Sequence, residues 1–215
     1  MRRPLLFVTA LVIAGSASAQ EPDYANLNLV GNRFDPLSYD DMTPAQRTMT
    51  ENILAGPRTA MGGPFNVLLR SPELGDLSQA LGAYIRFNSS LPGTLRELAI
   101  IMTARHWTAH FEWYAHKNAA LAEGLDPAIV DAIAAGRRPE SMQADEAIVY
   151  DLCNEIFTDH RVSDATFNEA IDALGERGVV DVIGTVGYYS LVSMLLNLDE
   201  YPLPDGVEPE LEPLR

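Results

Sequence analysis

An all-α fold, built as one helical domain, follows from three observations on this chain. Signals that open helices and glycines that close them succeed one another from residue 43 onward. Between them the apolar residues recur at spacings of three and four, the period of one helical face. Strand alternation and hairpin dipeptides are missing from the same segments.

The elements follow in order. Residues 1–19 have the build of a secretory leader: Arg2 and Arg3 supply the positive start, residues 5–15 are apolar but too short to span a bilayer, and Ala17, Ser18 and Ala19 make a small-residue cleavage site. A cut between Ala19 and Gln20 predicts a periplasmic or secreted product, by ordinary secretion rather than the twin-arginine route that Arg2-Arg3 loosely fits. Residues 20–42, with Pro22 and Pro36 among several Asn and Asp, carry little periodicity and read as an extended arm. The helical domain is expected over residues 43–206.

Thr43-Pro44-Ala45-Gln46 is a capping box with proline at the first helical position, and its helix should stop near Gly56-Pro57. Ser71-Pro72 opens the next, which carries Leu74, Leu77, Leu81, Tyr84 and Ile85. A long helical zone runs from Pro92 to about Glu123 and ends at Gly124; Asp126-Pro127 starts a short helix that closes near Gly136. Residues 144–157 form a stripe of Val149, Leu152 and Ile156 around Cys153, and Ser163 caps a helix with Phe167, Ile171 and Leu174 on one face. Residues 179–198 are apolar on nearly every side and ask for burial, within the domain or between subunits, so a homo-oligomer is expected. Residues 207–215 form an acidic, proline-containing tail.

Composition narrows the function. The formal net charge is −15, and loss of Arg2 and Arg3 with the leader takes it to −17. Such a surface repels nucleic acid and anionic lipid, so neither is expected as a partner. No segment after the leader reads as a membrane helix. Cys153 is the only cysteine, which excludes an intramolecular disulfide and a dithiol cycle within one chain; its apolar stripe makes it a core thiol without a role.

Chemistry concentrates in residues 97–116, which hold three of the four histidines and the carboxylates Glu97 and Glu112. Glu112 and His116 are four apart, so on a helix they face one another, and a carboxylate beside an imidazole yields a proton carrier near neutral pH. The same pair also fits a solvated helix-surface contact. Glu97 has two readings as well, since Thr94-Leu95-Arg96-Glu97 is itself a capping-box pattern, while Pro92 would move the cap to Ser90 or Leu91. One unbroken helix would hold Glu97 and His116 roughly 28 Å apart. They meet only if the chain turns near His106 to Thr108, where no glycine or proline stands but Thr108 could cap a second helix. Arg105 is a candidate clamp for a substrate carboxylate, or else a structural ion-pair partner, and Arg86 is read the same way. His110 borders the face less well, and Tyr188 or Tyr189 could place a phenol in a pocket. His110, Glu112 and His116 do not fit a zinc-binding spacing, so neither metal nor cofactor is expected.

Arg96-Glu97-Leu98-Ala99-Ile100, Glu112-Trp113-Tyr114-Ala115-His116, Gly124-Leu125, Gly187-Tyr188-Tyr189, Met194, Asn197 and Pro202-Leu203-Pro204 together resemble the carboxymuconolactone decarboxylase and alkyl hydroperoxidase D-like family, over roughly residues 43–206. The resemblance implies a helical bundle with a central helical hairpin that sets Glu97 opposite His116, in a trimer or hexamer. In the family's peroxidase branch a Cys-x-x-Cys-x-x-x-His motif follows a glutamate nineteen positions before the histidine. Glu97 and His116 keep that spacing, but the two cysteine positions fall on Ala109 and Glu112 and a relay histidine falls on Phe111. The similarity therefore points to the cysteine-free, decarboxylase-like members. With the constellation above it leads to a cofactor-independent lyase or isomerase acting on a small carboxylated lactone or oxo-acid, with Glu97, Glu112 and His116 catalytic; Arg105, His110 and Tyr189, read from the residues themselves, are the candidates against the substrate. Hydroperoxide reduction and a noncatalytic helical binding protein are the alternatives.

Overall fold

The computed structural model describes residues 23–58 and 60–213; the leader lies outside them. Among the described residues there are eight α-helices and no strand. They are α1 (Pro44–Ala55), α2 (Phe65–Leu68), α3 (Pro72–Phe87), α4 (Gly93–His106), α5 (His110–Ala122), α6 (Pro127–Ala134), α7 (Ala144–Thr158) and α8 (Asp164–Asp199).

Local chemistry sets most of the boundaries. The Thr43 box forms in both directions: the Thr43 amide donates to Gln46 Oε1 at 2.8 Å, and the Gln46 amide donates to Thr43 Oγ1 at 3.4 Å. Asp126 and Ser163 cap α6 and α8 through their side chains. The two helices expected after residue 163 run on end to end, with Gly175 (φ 69°, ψ 169°) as the break between them, a conformation that a residue with a Cβ would resist. Neither reading of this helix start holds, since the cap falls on none of Thr94, Ser90 and Leu91. Pro92 takes the N-cap position, α4 starts at Gly93, and Glu97 falls in the second turn.

α4 is the axle of the bundle. Residues 97–105 are all buried, because α5, α7 and α8 pack around them. The main core joins Leu98, Ile101 and Met102 of α4 to Val149, Leu152 and Cys153 of α7 and Val182 and Val186 of α8. A second cluster joins Leu27 and Met42 of the arm to Met49, Ile53, Met61, Phe65 and Leu68. A third, Ile85, Ile100, Tyr188, Tyr189, Val192 and Leu196, lies where α3, α4 and α8 meet.

Buried carboxylates tie the connections to this core. Asp181 of α8 accepts from the Ser90 amide at 2.8 Å, the Ser90 hydroxyl at 2.7 Å, the Tyr84 hydroxyl at 2.9 Å and the Ser89 hydroxyl at 3.3 Å. Burial opposes its charge, but the bonds from Ser90, Tyr84 and Ser89 outweigh it and hold the carboxyl below its ordinary range. Asp199 anchors the N-terminal arm by accepting from the amides of Arg33 at 2.8 Å and Phe34 at 2.9 Å. The tail also docks: Glu210 accepts from Trp113 Nε1 at 3.1 Å and pairs with Lys117, both on α5, and Leu211 is buried.

α8 departs from expectation in one respect. It is long and apolar enough, by length and composition, to cross a membrane, whereas no segment after the leader was expected to be. More than half of that stretch is buried within the fold, against α4 and α7. Its other side exposes Val180, Ile183, Met194 and Leu198, and α3 exposes Leu74, Leu77 and Leu81.

Candidate active site

α4 and α5 form a helical hairpin, and the turn between them explains how a chain without glycine there reverses. The Ala109 amide donates to Ala104 O at 2.9 Å and the Thr108 amide to Arg105 O at 3.0 Å, the paired bonds of a Schellman motif. Thr108 occupies the left-handed position (φ 47°) that glycine usually fills. A tertiary bond supports the strained turn: Asn197 Nδ2 of α8 donates to Trp107 O at 2.9 Å. Thr108 does not cap α5 as expected; Ala109 stands at the N-cap with no side-chain bond.

The reversal brings Glu97, Glu112 and His116 together. His116 Nδ1 lies 2.6 Å from Glu97 Oε2, and His116 Nε2 lies 3.0 Å from Glu112 Oε1. All three side chains are buried or nearly so, at 12 % exposure for His116, 6 % for Glu97 and 5 % for Glu112. Two carboxylates, one on each ring nitrogen, are best met by an imidazolium that donates both N–H groups. Burial alone would push His116 down, but the charge and hydrogen bond of Glu112 and those of Glu97 outweigh it and raise it to about 9. Burial likewise opposes ionisation of Glu97, yet the bond and charge of His116, helped by Arg96 Nε at 3.4 Å, hold it below its ordinary value. The Tyr189 ring stands edge-on to His116 at 4.8 Å. Burial, and then the Glu112 charge, keeps its phenol protonated far above the usual tyrosine range.

Glu112 and His116 open onto a cavity of about 180 Å³, walled by Phe111, Tyr188 and Tyr189 and carrying the arginines Arg58 and Arg86. Arg58 comes from the connection between α1 and α2, and its guanidinium lies over the Phe65 ring at 5.1 Å. Its Nε and Nη2 are buried without a hydrogen-bond partner within 3.5 Å among the described residues, with the Tyr188 hydroxyl close by. Gly82 of α3 makes room for it: a Cβ there would stand 2.7 Å from Arg58 Nη2 and 2.2 Å from the Tyr188 hydroxyl.

The structure separates two of the sequence candidates from this group. Arg105 is eight residues beyond Glu97, about 80° around the helix and about 12 Å along it, so it faces α6 and α7 and lines another cavity. His110 is six before His116, about 120° away, and lines a third with Leu196, Asn197 and Tyr201. Arg58 carries no periodic signal in its short connection; only the preceding Gly56-Pro57 marks that stretch in the sequence. Cys153 is sealed in the core at 0 % exposure, and burial pushes its thiol up to about 12. Among the described residues no group of three or more His, Cys, Asp and Glu side chains is arranged to hold a metal ion.

No protein-family model matches the chain, and no curated protein matches it significantly. Solved structures do. One is a protein of unknown function from Agrobacterium tumefaciens, assigned provisionally to the antioxidant-defence protein AhpD, which matches with a TM-score of 0.57 at 14% identity over 64% of this chain and 97% of that one. Another is the debrominase Bmp8, with a TM-score of 0.59 at 11% identity over 80% of this chain and 92% of that one. A variant of Bmp8 in complex with 2,3,4-tribromopyrrole matches equally well. At these identities the likeness is one of fold: the chain has the all-helical AhpD-like fold.

Proposed function

We propose that the protein is a carboxymuconolactone decarboxylase-like lyase or isomerase that moves a proton at a carbon next to a carbonyl, on a small carboxylated lactone or oxo-acid. The observation that carries this is His116 held between Glu97 and Glu112 at the wall of a cavity that also carries the guanidinium of Arg58, beside the Tyr188 hydroxyl. Both ring nitrogens are engaged, so Glu112 is the group that meets substrate and His116 acts through it. In decarboxylation the bond to the carboxylate breaks, its electrons pass into the neighbouring carbonyl as an enolate, and carbon dioxide leaves. Glu112, supplied with a proton by His116, then protonates the carbon, and the relay regains that proton from solvent. In isomerisation Glu112 removes and returns the proton. Arg58 and Arg86 offset the substrate's negative charge and that of the enolate, the task first given to Arg105.

Carbon dioxide release from carboxylated lactones, and proton exchange in heavy water followed by NMR, test this reading. Glu112→Gln and His116→Gln are expected to lose roughly 10²–10⁴-fold in turnover. Full turnover in either variant refutes the assignment. Hydroperoxide reduction finds less support, because Cys153 is buried and Glu112 stands at a thiol position. Turnover of an organic hydroperoxide that vanishes in Cys153→Ser would reverse that ranking. The apolar residues exposed on α3 and α8 support assembly into a homo-oligomer, which sedimentation checks.

A further inference from the structure

Arg105, displaced from the relay, is itself a buried cation without a counter-ion. It is 6 % exposed, and among the described residues its Nε and Nη1, sealed from solvent, have no hydrogen-bond partner and no ion pair includes it. A guanidinium cannot shed its proton, so its burial calls for an anion. It lines a cavity of about 210 Å³ between α4, the end of α6 and α7. The exposed Arg137 lines the same cavity, and among the described residues no Asp or Glu does, although the chain's net charge is −15. The nearby Asp151 is already engaged by Arg138 at 2.6 Å.

Much of the remaining wall is flat and aromatic or apolar, with Asn154 and Thr158 as its polar members. His106 stacks on Phe157 with ring centres 4.4 Å apart and planes 12° from parallel, and Tyr150 lines the cavity beside them. Burial, and then the charge of His160, push His106 below its ordinary value, so at neutral pH the positive charge resides on the arginines. A volume below the roughly 300–1,000 Å³ of drug-sized sites restricts the occupant to a small molecule.

We propose that this cavity is a second binding site, for a small monocarboxylate with a flat apolar body: the carboxylate on Arg105 and Arg137, the body against His106 and Phe157. It is separate from the relay cavity and does not rest on the reaction proposed there. Sodium benzoate is the probe, titrated into the full-length protein by calorimetry and by NMR of the Arg105 Nε–H signal. Saturable binding at one site that shifts Arg105 and leaves His116 unmoved is expected. Benzyl alcohol should not bind, and inorganic phosphate should bind at least about tenfold more weakly, since it lacks the apolar body. Arg105→Met should weaken benzoate by about tenfold or more, the scale of a lost charge-assisted bond. The exposed Arg137→Gln, which does not threaten folding, should weaken it roughly threefold. Lack of saturation, unchanged affinity in Arg137→Gln or Arg105→Met, equal binding of benzyl alcohol or phosphate, or shifts at His116 in place of Arg105 would each overturn the proposal.

Discussion

Replacing Glu112 by glutamine should change the titration of His116 more than any other single substitution. In the native site His116 is raised from 6.5 to about 9, a difference worth about 3 kcal/mol. Because the folded-state value is raised, this stabilisation is fully present below about pH 6.5 and is lost as pH climbs through 9. Glu97 behaves oppositely. Its value is depressed, so its contribution holds above its unfolded value of 4.5 and fades as pH falls. The relay therefore stabilises the fold most between about pH 4.5 and 6.5. Glu112→Gln keeps the size of the side chain and removes its charge, so the His116 value should drop by about 1–3 units. NMR titration of the labelled imidazole reads that value directly, and urea unfolding at several pH values should show the alkaline loss of stability shrinking in the variant. A native His116 that titrates at or below 6.5, or one unmoved by Glu112→Gln, would refute the coupling.

Three further outcomes follow from the packing. Asp181→Ala strands the Ser90 amide and the Tyr84, Ser89 and Ser90 hydroxyls, and should cost about 2–4 kcal/mol in urea unfolding. Thr108→Gly relieves the left-handed strain in the hairpin turn and should stabilise by about 0.5–1 kcal/mol, seen as a higher Tm, whereas a lower Tm would mean the threonine side chain is needed there. Cys153 should react with a thiol reagent in the native state only as fast as the core opens, and at once when unfolded; rapid native labelling would contradict its burial.

The fold was legible where structure is local. Thr43, Asp126 and Ser163 announce helix starts in the sequence because their capping bonds reach only two or three residues along the chain. The hairpin turn was harder, since the left-handed Thr108 is supported partly by the bond from Asn197 to Trp107, 90 residues apart, and no local letter encodes that bond. α2 escaped because four residues are too few to show a period. At the site, spacing alone put Glu112 and His116 on one face, and the resemblance supplied the turn that adds Glu97. Arg105 has the chemistry of a carboxylate clamp, but helical rotation carries it to another cavity, and Arg58 reaches the cavity of the relay from a connection without a pattern.

Every residue of α4 from 97 to 105 is buried. Helices with an outer face drift in sequence by changing what water touches, but here every change meets a neighbour on some side, and only swaps that preserve volume are cheap. Chains that share this fold at 11–14% identity are thus expected to agree along this helix in the order of large and small side chains rather than in the letters. Aligning structures by side-chain volume along α4 should then find a likeness of packing that letter matching misses.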